Sequence, residues 1–153
     1  MRVVIGHPDV RQVAFVGPFG VGKTTAVRSA SHTSVVNTDV VSAVGNIPRP
    51  GSPRKRTTTV GLDYGEWHGD DATVAVVGTP GQERFVTVRN SALARATSIV
   101  LWLYGDHDYG VDEAQEWVDY LGSAVWPTLT VAVTRLEDNP SAPRLPAYRA
   151  ALD

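Results

Sequence analysis

Residues 13–27 read VAFVGPFGVGKTTAV, and this stretch decides the fold. The apolar run at residues 13–16 predicts a short buried strand that ends at a glycine. From residue 22 to about residue 30 the pattern suits a helix. The glycine-rich turn between strand and helix places a lysine where the helix begins, and this arrangement is typical of a loop that wraps a phosphate group.

The turn carries the complete pattern G-x-x-x-x-G-K-[ST], because Gly17 and Gly22 bracket four residues and Lys23 and Thr24 follow directly. Glycines let successive backbone N–H groups point toward an anion, and the helix adds its unpaired N-terminal donors and its dipole. The lysine ammonium is expected to reach the β- and γ-phosphates, and the Thr24 hydroxyl is expected to bind Mg²⁺. The motif therefore predicts a nucleotide site.

Length and composition describe one ordinary globular domain, so we assign residues 1–153 to a single domain and residues 1–10 to an N-terminal extension. The formal net charge of −2 gives no basic surface and argues against nucleic acid as the partner. The chain has no cysteine, which excludes disulfides and thiolate metal sites and fits the cytoplasm, the location that we expect. No apolar run has the length of a transmembrane segment.

Strands and helices alternate along the chain after one strand–turn–strand pair. The predicted strands cover residues 13–16, 57–67, 72–77, 98–104 and 128–133, and the predicted helices cover residues 22–30, 85–94 and 114–121, with one short helix near the C-terminus. Residues 34–41 suit a strand or an extended loop, and the Pro- and Arg-rich residues 45–56 predict a flexible loop. This order predicts a mostly parallel central sheet with helices on both faces and a ligand beyond the carboxyl ends of its strands.

Two later stretches, TTVGLDYG at residues 58–65 and TPGQERF at residues 79–85, join the first motif in a known combination. Together the three motifs resemble those of a Ras-superfamily small GTPase, a P-loop NTPase. The chain is most similar to the bacterial branch with the MglA-type polarity switches and the actinobacterial GTPases encoded beside roadblock-fold proteins. The resemblance covers residues 13–133. It implies a GTP/GDP-binding signalling switch with slow Mg²⁺-dependent hydrolysis, and roadblock-type protein regulators.

The resemblance also implies roles for single residues in the two switch segments. Thr59 is expected to bind Mg²⁺ and sense the γ-phosphate, although Thr57 and Thr58 are one short register slip away. Gly81 is expected to offer its N–H to the γ-phosphate, and Gln82 to orient the attacking water. The full predicted nucleotide-binding set is Gly17, Pro18, Phe19, Gly20, Val21, Gly22, Lys23, Thr24, Thr25, Thr59, Gly81, Arg135 and Glu137.

Two positions depart from the family pattern near the phosphates. The second switch usually begins with an aspartate that contacts Mg²⁺ through water, but here the residue is Gly78. Mg²⁺ binding is therefore expected to be weaker or to rely more on Thr24, Thr59, the phosphates and water. Phe19 stands where Ras has glycine, and its ring is expected to crowd an arginine entering from a partner. Arg54 and Arg56 are then candidates to supply the catalytic charge within the chain, beside Lys23 and Gln82. The other interpretation is that both arginines are solvated.

The base-reading motif and the C-terminus also depart from the family. The usual Asn-Lys-x-Asp is replaced by Thr134-Arg135-Leu136-Glu137. Glu137 is expected to accept hydrogen bonds from guanine N1 and N2 and Arg135 to stack on the base, although Glu137 with Asp138 also suits a solvated acidic turn. The family fold continues to a further strand and helix for which no sequence follows Asp153. Two alternatives to a GTPase are a degenerate nucleotide-binding scaffold without hydrolysis and an ATP-using P-loop protein.

Overall fold

The sheet and its helices are seen in a computed structural model, which describes residues 10–41, 59–82 and 85–152. The strands are β1 (Arg11–Val16), β2 (Val36–Val41), β3 (Thr59–His68), β4 (Thr73–Gly78), β5 (Ser98–Tyr104) and β6 (Leu129–Thr134). The α-helices are α1 (Lys23–Ala30), α2 (Val86–Leu93), α3 (Gly110–Leu121) and α4 (Leu145–Leu152), and a 3-10 helix spans Ser123–Thr128.

One six-stranded sheet, in the order β2-β3-β4-β1-β5-β6, forms the centre of the fold. Strand β1 lies parallel to β4 and β5, and β5 lies parallel to β6. The pair β3–β4 is antiparallel, as the single strand–turn–strand pair predicted, and β2 pairs antiparallel with β3 as well. The carboxyl ends of β1, β4, β5 and β6 therefore meet at one edge of the sheet, where ligands bind in folds of this class.

Side chains alternate between the two faces of the strands, and each face carries helices. On one face Phe15 of β1 packs with Val27 of α1 and Val76 of β4. On the other face Val16 of β1 packs in a cluster with Val118 of α3, three leucine and isoleucine residues of β5, and Tyr148 of α4. Because β5 is covered on both faces, its sequence is a continuous apolar run rather than an alternating one.

The predicted fold class, a P-loop NTPase with a mostly parallel sheet and helices on both faces, is confirmed. Residues 34–41, which suited a strand or a loop, contribute β2 from Val36 onward. Arg54, Arg56 and the whole of residues 45–56 lie outside the described residues, as do Thr57 and Thr58. The expectation of a further strand and helix concerns the chain beyond Asp153 and stays a prediction.

Candidate functional site

The loop between β1 and α1 is shaped by three glycines with left-handed backbone angles. Gly17, Gly20 and Gly22 have φ values of 134°, 78° and 112°, a region that other residues rarely adopt. At Gly17 a Cβ atom would also overlap the backbone carbonyl of Trp102 in β5. The loop therefore fits tightly against the neighbouring strand and turns back over the N-terminus of α1, as the sequence motif predicted.

Lys23 is the buried cation at the centre of this loop. Its Nζ donates to the backbone oxygens of Gly17, at 2.7 Å, and of Pro18, at 2.6 Å. The pKa of Lys23 is lowered from 10.5 to about 8, mainly by burial and also by the charge of Arg89, while the carboxylate of Asp63 acts in the opposite direction. The ammonium is thus partly desolvated and rests on carbonyl groups, where an incoming anion would be a stronger partner.

Thr24, the residue after the lysine, donates its hydroxyl to the carboxylate of Asp63 in β3. The distance from Thr24 Oγ1 to Asp63 Oδ2 is 2.5 Å. Asp63 lies in β3 directly opposite Gly78, the last residue of β4. A Cβ atom at Gly78 would lie 3.3 Å from Asp63 Cβ and 3.1 Å from a methyl group of Val27, so Asp63 and Val27 fill the space beside this glycine.

Asp63 therefore supplies a carboxylate beside Gly78 from the adjacent strand, and the expectation about Mg²⁺ binding stays a prediction. Sequence reasoning missed Asp63. The available signal was an acidic residue inside a strand-like stretch, in a hairpin whose register brings it opposite Gly78. Hydroxyl and carboxylate oxygens are ligands that Mg²⁺ prefers, so Thr24 and Asp63 suit a hard cation. Among the residues that the structure describes, no group of three or more His, Cys, Asp or Glu side chains forms an all-protein metal site.

The segment after β4 is held against the glycine-rich loop between β1 and α1. Thr79 donates both its N–H and its hydroxyl to the backbone oxygen of Phe15, at 3.0 Å each. At Gly81 a Cβ atom would overlap backbone atoms of residues 17–19. Only a glycine permits this approach, so Gly81 brings its own backbone next to the loop that carries Lys23.

These pieces surround one open cavity of about 580 Å³. Among the predicted site residues, its lining includes Phe19, Gly20, Gly22, Lys23, Thr24, Thr25, Gly81 and Gln82. Asp63, Asn37 and Gly61, which the sequence did not single out, line it as well. The volume lies within the usual range for small-molecule sites, which is roughly 300–1,000 Å³.

Other predicted residues lie elsewhere. Val21 is buried with 3% of its surface exposed and belongs to the core rather than to the cavity wall. Thr59 is the first residue of β3, and its side chain is outside what the structure describes. Gly17 and Pro18 contribute the backbone oxygens that receive the Lys23 ammonium.

The predicted base-reading segment follows β6 at the same edge of the sheet. Arg135 has a φ of 55°, which is rare outside glycine, and its guanidinium lies 5.0 Å from the centre of the Tyr104 ring. Its Nη2 is 3.5 Å from the backbone oxygen of Gly20, and the Tyr104 hydroxyl donates to the backbone oxygen of Phe19 at 2.7 Å. Arg135 and Tyr104 therefore contact the outer side of the glycine-rich loop. Glu137 is exposed and does not line the described cavity.

Comparison with known proteins supports the fold. No family description and no curated protein matches the chain. Among solved structures, the cytosolic domain of the T. maritima FeoB iron transporter in apo form is 15% identical, with a TM-score of 0.59 over 84% of this chain and 47% of that chain. The G domain of T. maritima FeoB is 16% identical, with a TM-score of 0.56 over 84% of this chain and 74% of that chain. The chain thus has the fold of a P-loop G domain and spans about half of the first structure.

No helix in the described ranges is long and apolar enough to cross a membrane.

Replacing Lys23 by methionine should stabilise the protein in the absence of ligand. Because folding lowers the Lys23 pKa from 10.5 to about 8, the charged lysine opposes folding at pH 7 by roughly 3 kcal/mol, partly offset by its two hydrogen bonds. We expect a gain of about 1–3 kcal/mol in the free energy of unfolding by urea at pH 7. The gain should fade as pH rises from 8 to 10.5, where the lysine of the folded and then the unfolded chain becomes neutral.

The matched control is Arg28→Met, which removes an exposed cation from the same helix and should leave stability nearly unchanged. Equal effects of the two substitutions would contradict a desolvated Lys23.

Proposed function

We propose that the chain binds a guanine nucleotide with Mg²⁺ in this cavity and slowly hydrolyses the γ-phosphate, as a molecular switch. The observation that carries the proposal is the convergence of Lys23, the Thr24–Asp63 pair and the Gly81–Gln82 backbone on one cavity. A lysine and backbone donors suit phosphates, an oxygen pair suits the cation that accompanies them, and a loop beside both suits the attacking water. The G-domain fold of the neighbouring structures is consistent with this proposal.

The residues divide the work of binding. The backbone N–H groups of the glycine-rich loop would hold the phosphate oxygens, and the Lys23 ammonium would leave its carbonyl partners for the β- and γ-phosphates. Thr24 would bind Mg²⁺ directly, with Asp63 receiving one of its water ligands, and Thr59 is the candidate from the first switch. When bound, Mg²⁺ would neutralise charge that develops on the phosphate oxygens.

The reaction needs little covalent chemistry from the protein. Water attacks the γ-phosphorus, the bond from that phosphorus to the β–γ bridging oxygen breaks, and GDP and inorganic phosphate result. Gln82 would orient the water, the Gly81 N–H would hold a γ-phosphate oxygen, and Lys23 would stabilise the negative charge. Arg54 and Arg56 remain proposed sources of further positive charge, and the intrinsic rate is expected to be low.

The base would be read by the segment that follows β6. Glu137 would accept from guanine, and Arg135 would reach the base from beside Tyr104. The exposure of Glu137 away from the cavity favours, as a second candidate, an ATP-using protein or a nucleotide-binding scaffold without hydrolysis. Roadblock-type regulators, the bacterial branch and a cytoplasmic signalling role rest on the motif resemblance.

Asp63→Asn should weaken Mg²⁺-dependent nucleotide binding by about 10- to 100-fold, the usual cost of losing an outer-shell partner of a metal site. The measurement is calorimetric titration of a non-hydrolysable GTP analogue at several Mg²⁺ concentrations. Asp71→Asn, in the exposed β3–β4 turn, is the matched control and should bind like the wild type. The double exchange Asp63→Gly with Gly78→Asp moves the carboxylate to the opposite strand and should restore part of the Mg²⁺ dependence. Wild-type Mg²⁺ dependence in Asp63→Asn would remove Asp63 from the site.

Gln82→Leu should lower the single-turnover rate of GTP hydrolysis at least about tenfold, because water loses its orienting group, while affinity for the non-hydrolysable analogue stays within about twofold. Affinity without hydrolysis in both proteins would favour the scaffold instead. Hydrolysis at the same rate in both would exclude Gln82 from catalysis.

A further inference from the structure

Arg89 is a buried cation outside the phosphate-binding motifs, with only 3% of its surface exposed. It lies in α2, and its side chain returns toward the segment that follows β4. Its Nε donates to the backbone oxygen of Pro80 at 3.3 Å, and its Nη2 donates to the backbone oxygen of Gln82 at 2.9 Å. The two hydrogen bonds therefore fix the backbone of the residues before and after Gly81.

The Arg89 guanidinium also contacts two aromatic rings of α3. The Arg89 guanidinium carbon is 4.9 Å from the ring centre of Trp117 and 5.0 Å from that of Tyr120. Both distances lie within the range of cation–π attraction, which strengthens when the cation is desolvated. The two rings meet edge to face at 5.7 Å, and Tyr120 also donates its hydroxyl to Asn90 of α2 at 2.7 Å.

These contacts connect helix α3 to the segment after β4 through Arg89. Helix α3 packs on β5 and is fixed to the core through Ala114 and Val118. The Trp117 and Tyr120 rings of α3 contact the Arg89 guanidinium. The guanidinium in turn donates hydrogen bonds to the backbone oxygens of residues 80 and 82. Arginine suits this position because its planar fork serves two acceptors while its flat faces contact rings, a combination that lysine cannot reproduce.

We propose that Arg89, held by Trp117 and Tyr120, is a positioning residue that fixes the backbone of residues 80–82 for γ-phosphate hydrolysis. The inference rests on the proposed function, because it assigns Gln82 to the water and Gly81 to the phosphate. Arg89 would contact neither the water nor the phosphate; it acts through the loop that carries Gly81 and Gln82. A displacement of about 1 Å in such a loop can slow a reaction by as much as about 100-fold without changing the reacting groups.

The first test uses Arg89→Met and Arg89→Lys with two readouts on the full chain. Single-turnover GTP hydrolysis should fall about tenfold or more in Arg89→Met, and Arg89→Lys should recover only a small part because it lacks the fork. Affinity for a non-hydrolysable GTP analogue should fall much less than the rate, since the glycine-rich loop and Lys23 are unchanged and only the Gly81 N–H loses its support. A loss of affinity equal to the loss of rate would overturn the inference, because it would indicate general damage to the site.

The second test separates the rings from the rest of α3. Tyr120→Leu removes the ring over Arg89, whereas Tyr120→Phe keeps the ring and removes only the hydrogen bond to Asn90. We expect hydrolysis to fall several-fold in Tyr120→Leu and to stay near the wild-type rate in Tyr120→Phe. Because the ring acts through Arg89, the double variant Arg89→Met with Tyr120→Leu should be no slower than Arg89→Met alone. Additive losses, or equal losses in the two Tyr120 variants, would overturn the inference.

A third readout needs no catalysis. Amide hydrogen exchange in a peptide spanning residues 79–85 should speed up in Arg89→Met and Tyr120→Leu but not in Tyr120→Phe. Unchanged exchange in all three variants would overturn the positioning role by itself. Absence of hydrolysis by the wild type would instead overturn the proposed function, and with it the catalytic part of this inference. Wild-type hydrolysis retained in every variant would overturn this inference alone.

Discussion

The candidate site depends on backbone segments that approach one another more closely than a Cβ atom allows. Gly17 lies against the carbonyl of Trp102, and Gly81 lies against the backbone of residues 17–19. The two contacts join the ends of β1, β4 and β5 at one edge of the sheet. Without them the loop carrying Lys23 and the segment carrying Gln82 could not share a cavity, whatever their side chains. Glycine is required here by space, and at Gly17 by its backbone angle as well.

The buried charge of Lys23 at this edge of the sheet lowers the stability of the ligand-free protein. Lys23 is desolvated, and the nearby charge of Arg89 disfavours its protonated form further, while Asp63 compensates only in part. A group whose pKa is displaced in this way is a mark of functional sites, because an anionic ligand can supply the missing partner. The carboxylate beside Thr24 comes from Asp63 of β3 rather than from residue 78 at the end of β4. The β3–β4 register brings this carboxylate within hydrogen-bond distance of the Thr24 hydroxyl.

The sequence predicted the elements that periodicity and motif spacing determine. The glycine-rich loop between β1 and α1, the continuous apolar strand β5 and the amphipathic face of α3 all lie where the pattern placed them. The contribution of Asp63 was missed because it depends on which residues of β3 and β4 face each other, and register is a property of the pair rather than of either strand. Arg89 was missed for a related reason. Its partners are backbone oxygens and rings far away along the chain, and only the folded helices bring them together.

The direction of the side chains after β6 could not be predicted from the sequence, for a physical reason. Motif position indicated that Arg135 and Glu137 lie near one another at the end of β6. It could not indicate that Arg135 turns onto Tyr104 and toward the backbone of Gly20. Side-chain direction at such a turn is decided by a left-handed residue and by an aromatic neighbour from another strand.

The most direct measurement is calorimetric titration of nucleotide-free protein with non-hydrolysable GTP and ATP analogues, each in the presence of Mg²⁺. The proposed function predicts tight binding of the GTP analogue and much weaker binding of its ATP counterpart. Equal binding of both would contradict guanine recognition and leave a general nucleotide site. Binding of neither would contradict the assignment of this cavity to phosphate.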